Sequence, residues 1–203
     1  MRIAIVTFDG FNEIDSFVAL NILNRAKEIT AELVAPTPSV ASGNGVRLVG
    51  VAPLERANEA DAVLFGSGRT TARIVEDRAT MDRLILDPDR QLIGSQCSGA
   101  LALAKLGLLD AMPVCTDRKT RPVVEAAGVR VLDQTFFAQG NVASAGGCLA
   151  SPHLSAWVLL RLLGRSAAAA ALAHVAPVGE HDRFIAGVLA AVERFATITS
   201  RAS

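Results

Sequence analysis

Cys97 is the residue of this chain whose surroundings most favour chemistry. It stands between an apolar run, Gln91-Leu-Ile-Gly-Ser95, and a helix-forming run, Ser98-Gly-Ala-Leu-Ala-Leu-Ala-Lys-Leu106, with only Gln96 before it. A side chain at such a strand-to-helix bend faces unpaired N–H groups and the positive end of the helix, which favours thiolate over thiol. Cysteines at helix N-termini titrate at roughly 3.5–7.5 instead of ~8.5, so the expectation is an ionised nucleophile at neutral pH. The bend also has the mechanics of a nucleophile elbow, in which the N–H of the next residue, here Ser98, is aimed at a developing oxyanion. The competing reading is a buried, inert thiol. Cys115 and Cys148 have no such elbow and read as packing residues. No Cys-x-x-Cys spacing occurs, so neither a disulfide framework nor a metal site is indicated, and no cofactor is expected.

Two other loops can meet this bend if their strands are neighbours, because ligands of open parallel sheets bind outside the carboxyl ends of the strands. One is Asp9-Gly10-Phe11, leading into a helix that carries Glu13 and Asp15; the other is Gly66-Ser67-Gly68. Of the three acids, Asp9 precedes Gly10 and can organise a turn, while Glu13 can serve a helix dipole from solvent. Asp15 is flanked by Ile14 and by Phe17-Val18, so an inward aim places it in apolar surroundings that raise a carboxyl pKa. A protonated Asp15 donates to the Cys97 sulfur and then works as acid or base, against the plain reading of a helix cap. Ser67, Gln96, Glu13 and His153 are the weaker candidates for the pocket wall.

The elements that must hold these residues alternate short β-branched runs with helical patterns, the signature of a parallel sheet with helices on both faces. Strands are expected at 3–7, 32–35, 61–65, 91–95 and 141–145, with short ones near 114 and 129–132 and a peripheral pair within 46–51. Helices are expected at 12–27, 69–87, 98–106, 149–163, 167–175 and 182–198. Residues 1–200 read as a single domain, with 201–203 as a frayed end.

Composition narrows the function classes. The 203 residues carry 20 Lys and Arg against 20 Asp and Glu, so no net charge draws the chain to nucleic acid or to an anionic membrane. There is no tyrosine, which leaves few platforms for base stacking. The uncharged stretch 134–160 is interrupted by Gln139, Asn141, Ser144, Ser151 and Pro152 and fails as a membrane span. Its Phe136, Phe137 and Trp157 suit a compact uncharged ligand or, equally, a core. Unpaired cysteines and a short N-terminal apolar run are consistent with a cytoplasmic, reducing location.

The segments Gly94-Ser-Gln-Cys97-Ser-Gly-Ala-Leu-Ala-Leu-Ala-Lys-Leu-Gly-Leu-Leu109, Phe8-Asp-Gly-Phe-Asn-Glu-Ile-Asp15 and Asn141-Val-Ala-Ser-Ala-Gly-Gly147 together resemble the ThiJ/PfpI superfamily, nearest to its isonitrile hydratase branch. The resemblance runs from Arg2 to Gly164. It implies a class I glutamine amidotransferase-like, flavodoxin-like three-layer α/β sandwich with a doubly wound, mostly parallel sheet, usually dimeric. It also implies that Cys97 is the nucleophile, that Asp15 contacts its sulfur, and that the N–H of Gly68 completes the oxyanion hole. Two departures matter. Ser98 and Asp117 stand where Cys-His relatives carry histidine, and His153, His174 and His181 are the only histidines, so a protease or amidotransferase mechanism lacks its base. Gly66-Ser67-Gly68 replaces the usual Pro-Gly-Gly. The implied activity is hydration of a small uncharged isonitrile to an N-formamide, with Ser98 beside the water. The alternatives are a glyoxalase or deglycase, a redox sensor that works by Cys97 oxidation, and a ligand-binding module.

Overall fold

The structure, a computed structural model, describes residues 1–196. In chain order its elements are β1 (Arg2–Val6), α1 (Glu13–Leu23), β2 (Thr30–Ala35), β3 (Ser39–Ala41), β4 (Arg47–Val49), β5 (Ala52–Pro53), α2 (Arg56–Glu59) and β6 (Ala62–Phe65). There follow α3 (Thr71–Ile74), α4 (Arg78–Met81), β7 (Leu92–Gln96), a 3-10 turn (Cys97–Gly99) and α5 (Ala100–Lys105). The rest are β8 (Val114–Cys115), α6 (Arg121–Ala126), β9 (Val131–Leu132), β10 (Phe136–Gln139), β11 (Val142–Ala145), a 3-10 turn (Cys148–Ala150), α7 (Ser151–Leu163), α8 (Arg165–Leu172) and α9 (His181–Glu193).

Seven strands form the central sheet in the order β10-β11-β7-β6-β1-β2-β5, parallel except for the β10–β11 pair. The inner strands are apolar because both faces are covered. On one face Ile3, Ile5 and Leu64 pack with α1, α7, α8 and α9 around the fully buried Trp157. On the other, Ala4, Val6, Val63 and Ile93 pack with α2 and α5 around Leu54 and Leu103. Each such Leu or Ile contributes roughly 1.5–3 kcal/mol by leaving water. The doubly wound α/β architecture is therefore as the periodicity predicts. The order sets the site: β7 lies between β6 and β11, and β6 between β7 and β1, so the loops leaving β1, β6, β7 and β11 emerge side by side.

Local differences from the expectations have physical causes. The first helix starts at Glu13, since Asn12 is extended (φ −90°) and its side chain accepts the Ile14 N–H. The expected helix over 69–87 is two single turns, because Asp77 caps the second from Ala79 N and Thr80 Oγ1 and so ends the first. The peripheral pair is β3 with β4, and β8 with β9 forms a separate two-stranded sheet. Strand β10 and helix α6 fall in stretches the sequence reading left unassigned. The stretch 134–160 divides into β10, β11 and α7, and no helix among the described residues is long and apolar enough to cross a membrane. Phe136 and Trp157 pack against each other with ring centroids 6.3 Å apart, inside the core. The expected frayed end at 201–203 lies outside the described residues.

Candidate functional site

The bend at Cys97 is sharp. Cys97 takes φ +49°, a left-handed conformation that an L-residue adopts at a cost of roughly 1–2 kcal/mol. Thr116 Oγ1 donates to its carbonyl at 2.8 Å and holds that conformation. The turn can press against β6 because residue 99 is glycine: a Cβ there would stand 2.5 Å from the Phe65 carbonyl oxygen. The loops after β1 and β6 are stitched together by Asn12 N–H to Ser67 O (2.8 Å) and Arg69 N–H to Gly10 O (2.9 Å). Gly68 permits that approach, since a Cβ would lie 2.6 Å from Gly10 O.

Asp15, on the first turn of α1, points inward and is 2% exposed. Its Oδ2 accepts the Ser67 N–H at 3.0 Å, while Oδ1 is buried with no partner among the described residues. One Asp15 oxygen and the sulfurs of Cys97 and Cys148 all lie within 4.8 Å of one another. Burial raises the Asp15 carboxyl above its ordinary range, opposed by Ser67 and then by the Cys148 thiol, with the charge of Asp117 adding a smaller push upward. Burial also pushes the Cys97 thiol far above the usual thiol range, reinforced by the charge of Asp15 and then by Cys148 and Asp117; only the Gly147 N–H pulls the other way.

Depth thus opposes the helix end: burial disfavours a standing thiolate at Cys97 and equally raises the proton affinity of the Asp15 carboxyl beside it, so the two groups titrate as one pair.

A cleft of about 290 Å³ opens over the pair and is lined by Asn12, Ser67, Gly68, Cys97, Ser98 and Cys148, with Arg69, Asp117 and Lys119 among the charged groups of its wall. Ser98 Oγ accepts the Gly68 N–H at 3.2 Å and shares a 2.8 Å hydrogen bond with Thr71 Oγ1, so the Gly68 donor is engaged in the resting arrangement. Glu13 lies apart, in an adjoining cavity, where its carboxylate accepts from Ser42 Oγ and, at 2.9 Å, from Asn44 Nδ2; the Ser42 bond chiefly lowers its pKa. Asp9 accepts the Ala41 N–H and shapes its turn. Gln96 does not line the cleft. Its Nε2 donates to the carbonyls of Gly147 and Cys148 (2.9 and 2.8 Å) and its Oε1 accepts from Ser151 Oγ, which positions the turn that carries Cys148.

None of the three histidines lines either cavity. His153 is half-buried with an unpartnered Nδ1, and burial lowers its pKa. Cys115 is a core residue in β8, its thiol pushed up to about 11 by burial. Cys148, expected to be packing, is instead half-buried in the cleft wall, with Asn12 Nδ2 donating to its sulfur at 3.0 Å. Sequence spacing did not single it out; the cue was its position one residue beyond the recognised segment 141–147, after the strand that pairs with β7.

Comparison with solved structures returns the same architecture at low identity. DJ-1 of Schizosaccharomyces pombe is 16% identical over 84% of this chain and 96% of that one, with a TM-score of 0.72. A ThiJ/PfpI family protein from Pseudomonas syringae is 18% identical over 95% of this chain and 87% of its own, with a TM-score of 0.77. DJ-1beta of Drosophila melanogaster is 17% identical over 86% and 96%, with a TM-score of 0.74. A comparison with curated protein sequences finds no match. The DJ-1/PfpI family profile matches residues 1–159, and the chain belongs to the DJ-1/PfpI family.

Proposed function

We propose that the protein is a cysteine-dependent enzyme of the hydratase or lyase type acting on a small molecule, with an isonitrile as the substrate class. One observation carries the reading: a cysteine in a left-handed elbow, at the wall of a small cleft, stands within 4.8 Å of a buried carboxyl whose Oδ1 makes no hydrogen bond among the described residues. Asp15 takes the thiol proton as the Cys97 sulfur bonds to the terminal isonitrile carbon, and returns that proton to the same carbon, giving a thioimidate. Water then adds to the thioimidate carbon, the C–S bond breaks with the proton going back to sulfur, and the N-formamide leaves. A thiol and a carboxylate base are the resting partners this addition requires. The Gly68 N–H stabilises the oxygen that develops charge in the second step, for which Ser98 Oγ must give way. Positioned base catalysis of this kind is worth roughly 10²–10⁴ in rate.

The absence of histidine from the cleft lining favours this reading over a Cys-His glyoxalase or deglycase, and the burial of Cys97, which is 2% exposed, disfavours a sensor that depends on an accessible thiolate. The test is N-formamide production from an aryl isonitrile by wild type, Cys97→Ala and Asp15→Asn, with lactate from methylglyoxal measured alongside. Turnover by wild type, abolished in Cys97→Ala, supports the proposal; no turnover across an isonitrile panel, or lactate formation alone, rejects it.

A further inference from the structure

The sequence indicates no metal site, yet the fold brings together three donors that are far apart in the chain. One carboxylate oxygen of Asp15 and the sulfurs of Cys97 and Cys148 all lie within 4.8 Å of one another. Around a tetrahedral zinc-like ion, with bonds of about 2.3 Å to sulfur and 2.0–2.2 Å to oxygen, two sulfurs and one oxygen stand roughly 3.5–3.8 Å apart. Side-chain shifts of about an ångström therefore close the set. A second observation is independent of this spacing: Asp15 Oδ1 is buried and has no hydrogen-bond partner among the described residues, a costly state that a cation would relieve. Asn12 Nδ2 on the Cys148 sulfur and the Ser67 N–H on Asp15 Oδ2 already orient two of the donors, as outer hydrogen bonds do at metal sites.

The geometry points to a binding site for one thiophilic, zinc-class divalent cation on Asp15 Oδ1, Cys97 Sγ and Cys148 Sγ, with the fourth position open to the cleft. Two sulfurs and one carboxylate select such an ion over magnesium or calcium. Because the ion takes the Cys97 sulfur, it competes with any substrate that needs that atom. The site holds whether or not Cys97 turns over an isonitrile.

Reduced, metal-stripped protein is titrated with Cd²⁺, read by its ultraviolet thiolate charge-transfer band and by cadmium NMR, which reports the number of sulfur ligands. Zn²⁺ affinity follows from competition with a chromophoric chelator. The expected result is one ion per chain with two sulfur ligands, and affinity at least tenfold weaker in Cys148→Ala and in Asp15→Asn. No band in folded wild type, one sulfur ligand, or undiminished affinity in folded Cys148→Ala overturns the site. Circular dichroism checks each variant, and the NMR ligand count on wild type decides the matter even if a variant fails to fold. Ion binding without isonitrile turnover removes the proposed function and leaves the site; turnover without ion binding does the reverse.

Discussion

Replacing Asp15 with asparagine keeps the size of the side chain and removes the charge that faces Cys97. The Asp15 oxygen and the Cys97 sulfur are no more than 4.8 Å apart. At an effective dielectric near 20, two unit charges at that distance repel by about 3.5 kcal/mol, a few hundredfold in the population of the ionised sulfur. In metal-free, reduced protein, the ultraviolet thiolate absorbance, taken as the difference from Cys97→Ala, therefore rises at lower pH in Asp15→Asn than in wild type. Alkylation of Cys97 by iodoacetamide at neutral pH, mapped by peptide mass, accelerates by a similar factor. The variant gains thiolate and still loses turnover, because the proton acceptor is gone. A Cys97 titration that stays in place, or moves to higher pH, shows instead a thiolate stabilised by a protonated Asp15.

Three other consequences are open to direct measurement. Gly99→Ala drives a Cβ toward the Phe65 carbonyl oxygen and lowers stability by roughly 1–3 kcal/mol, visible as a lower Tm together with lost Cys97 reactivity. Thr116→Val removes the donor to the Cys97 carbonyl and costs about 1 kcal/mol in chemical denaturation, with slower alkylation of Cys97 as the left-handed bend loosens. The raised Asp15 carboxyl also sets a pH dependence: the folded state holds its proton more tightly than the unfolded chain, so its contribution is present below the ordinary carboxyl range and is lost as pH rises through the folded value. The Tm of Asp15→Asn accordingly gains on wild type as pH increases, and a difference that is flat with pH contradicts this.

Much of this was legible from residue types. Strands β1, β2, β6, β7 and β11 are apolar runs bounded by glycine, proline or polar clusters, and the unlinked passage from β7 into Cys97-Ser98-Gly99 announced the elbow. The convergence of three loops followed from the sheet class. Strand β10 was missed because Phe136-Phe137-Ala138-Gln139 does not alternate cleanly, although the Gly140-Asn141 pair is a two-residue hairpin signal. The depth of Cys97 was not legible, and depth opposes what the helix end favours. Cys148 was not legible either, because its place beside Cys97 arises from the pairing of β11 with β7 and from the grip of Gln96 on the turn that follows.

The proposed reaction requires Cys97 to form the bond to substrate and Asp15 to move the proton. The most direct measurement is acid-quenched peptide mass spectrometry during turnover of an aryl isonitrile. The expected result is an adduct of one substrate mass on the peptide containing Cys97, absent from Cys97→Ala and slow to form in Asp15→Asn. Formamide production with no adduct on Cys97, or with the adduct on Cys148 or Cys115, contradicts it.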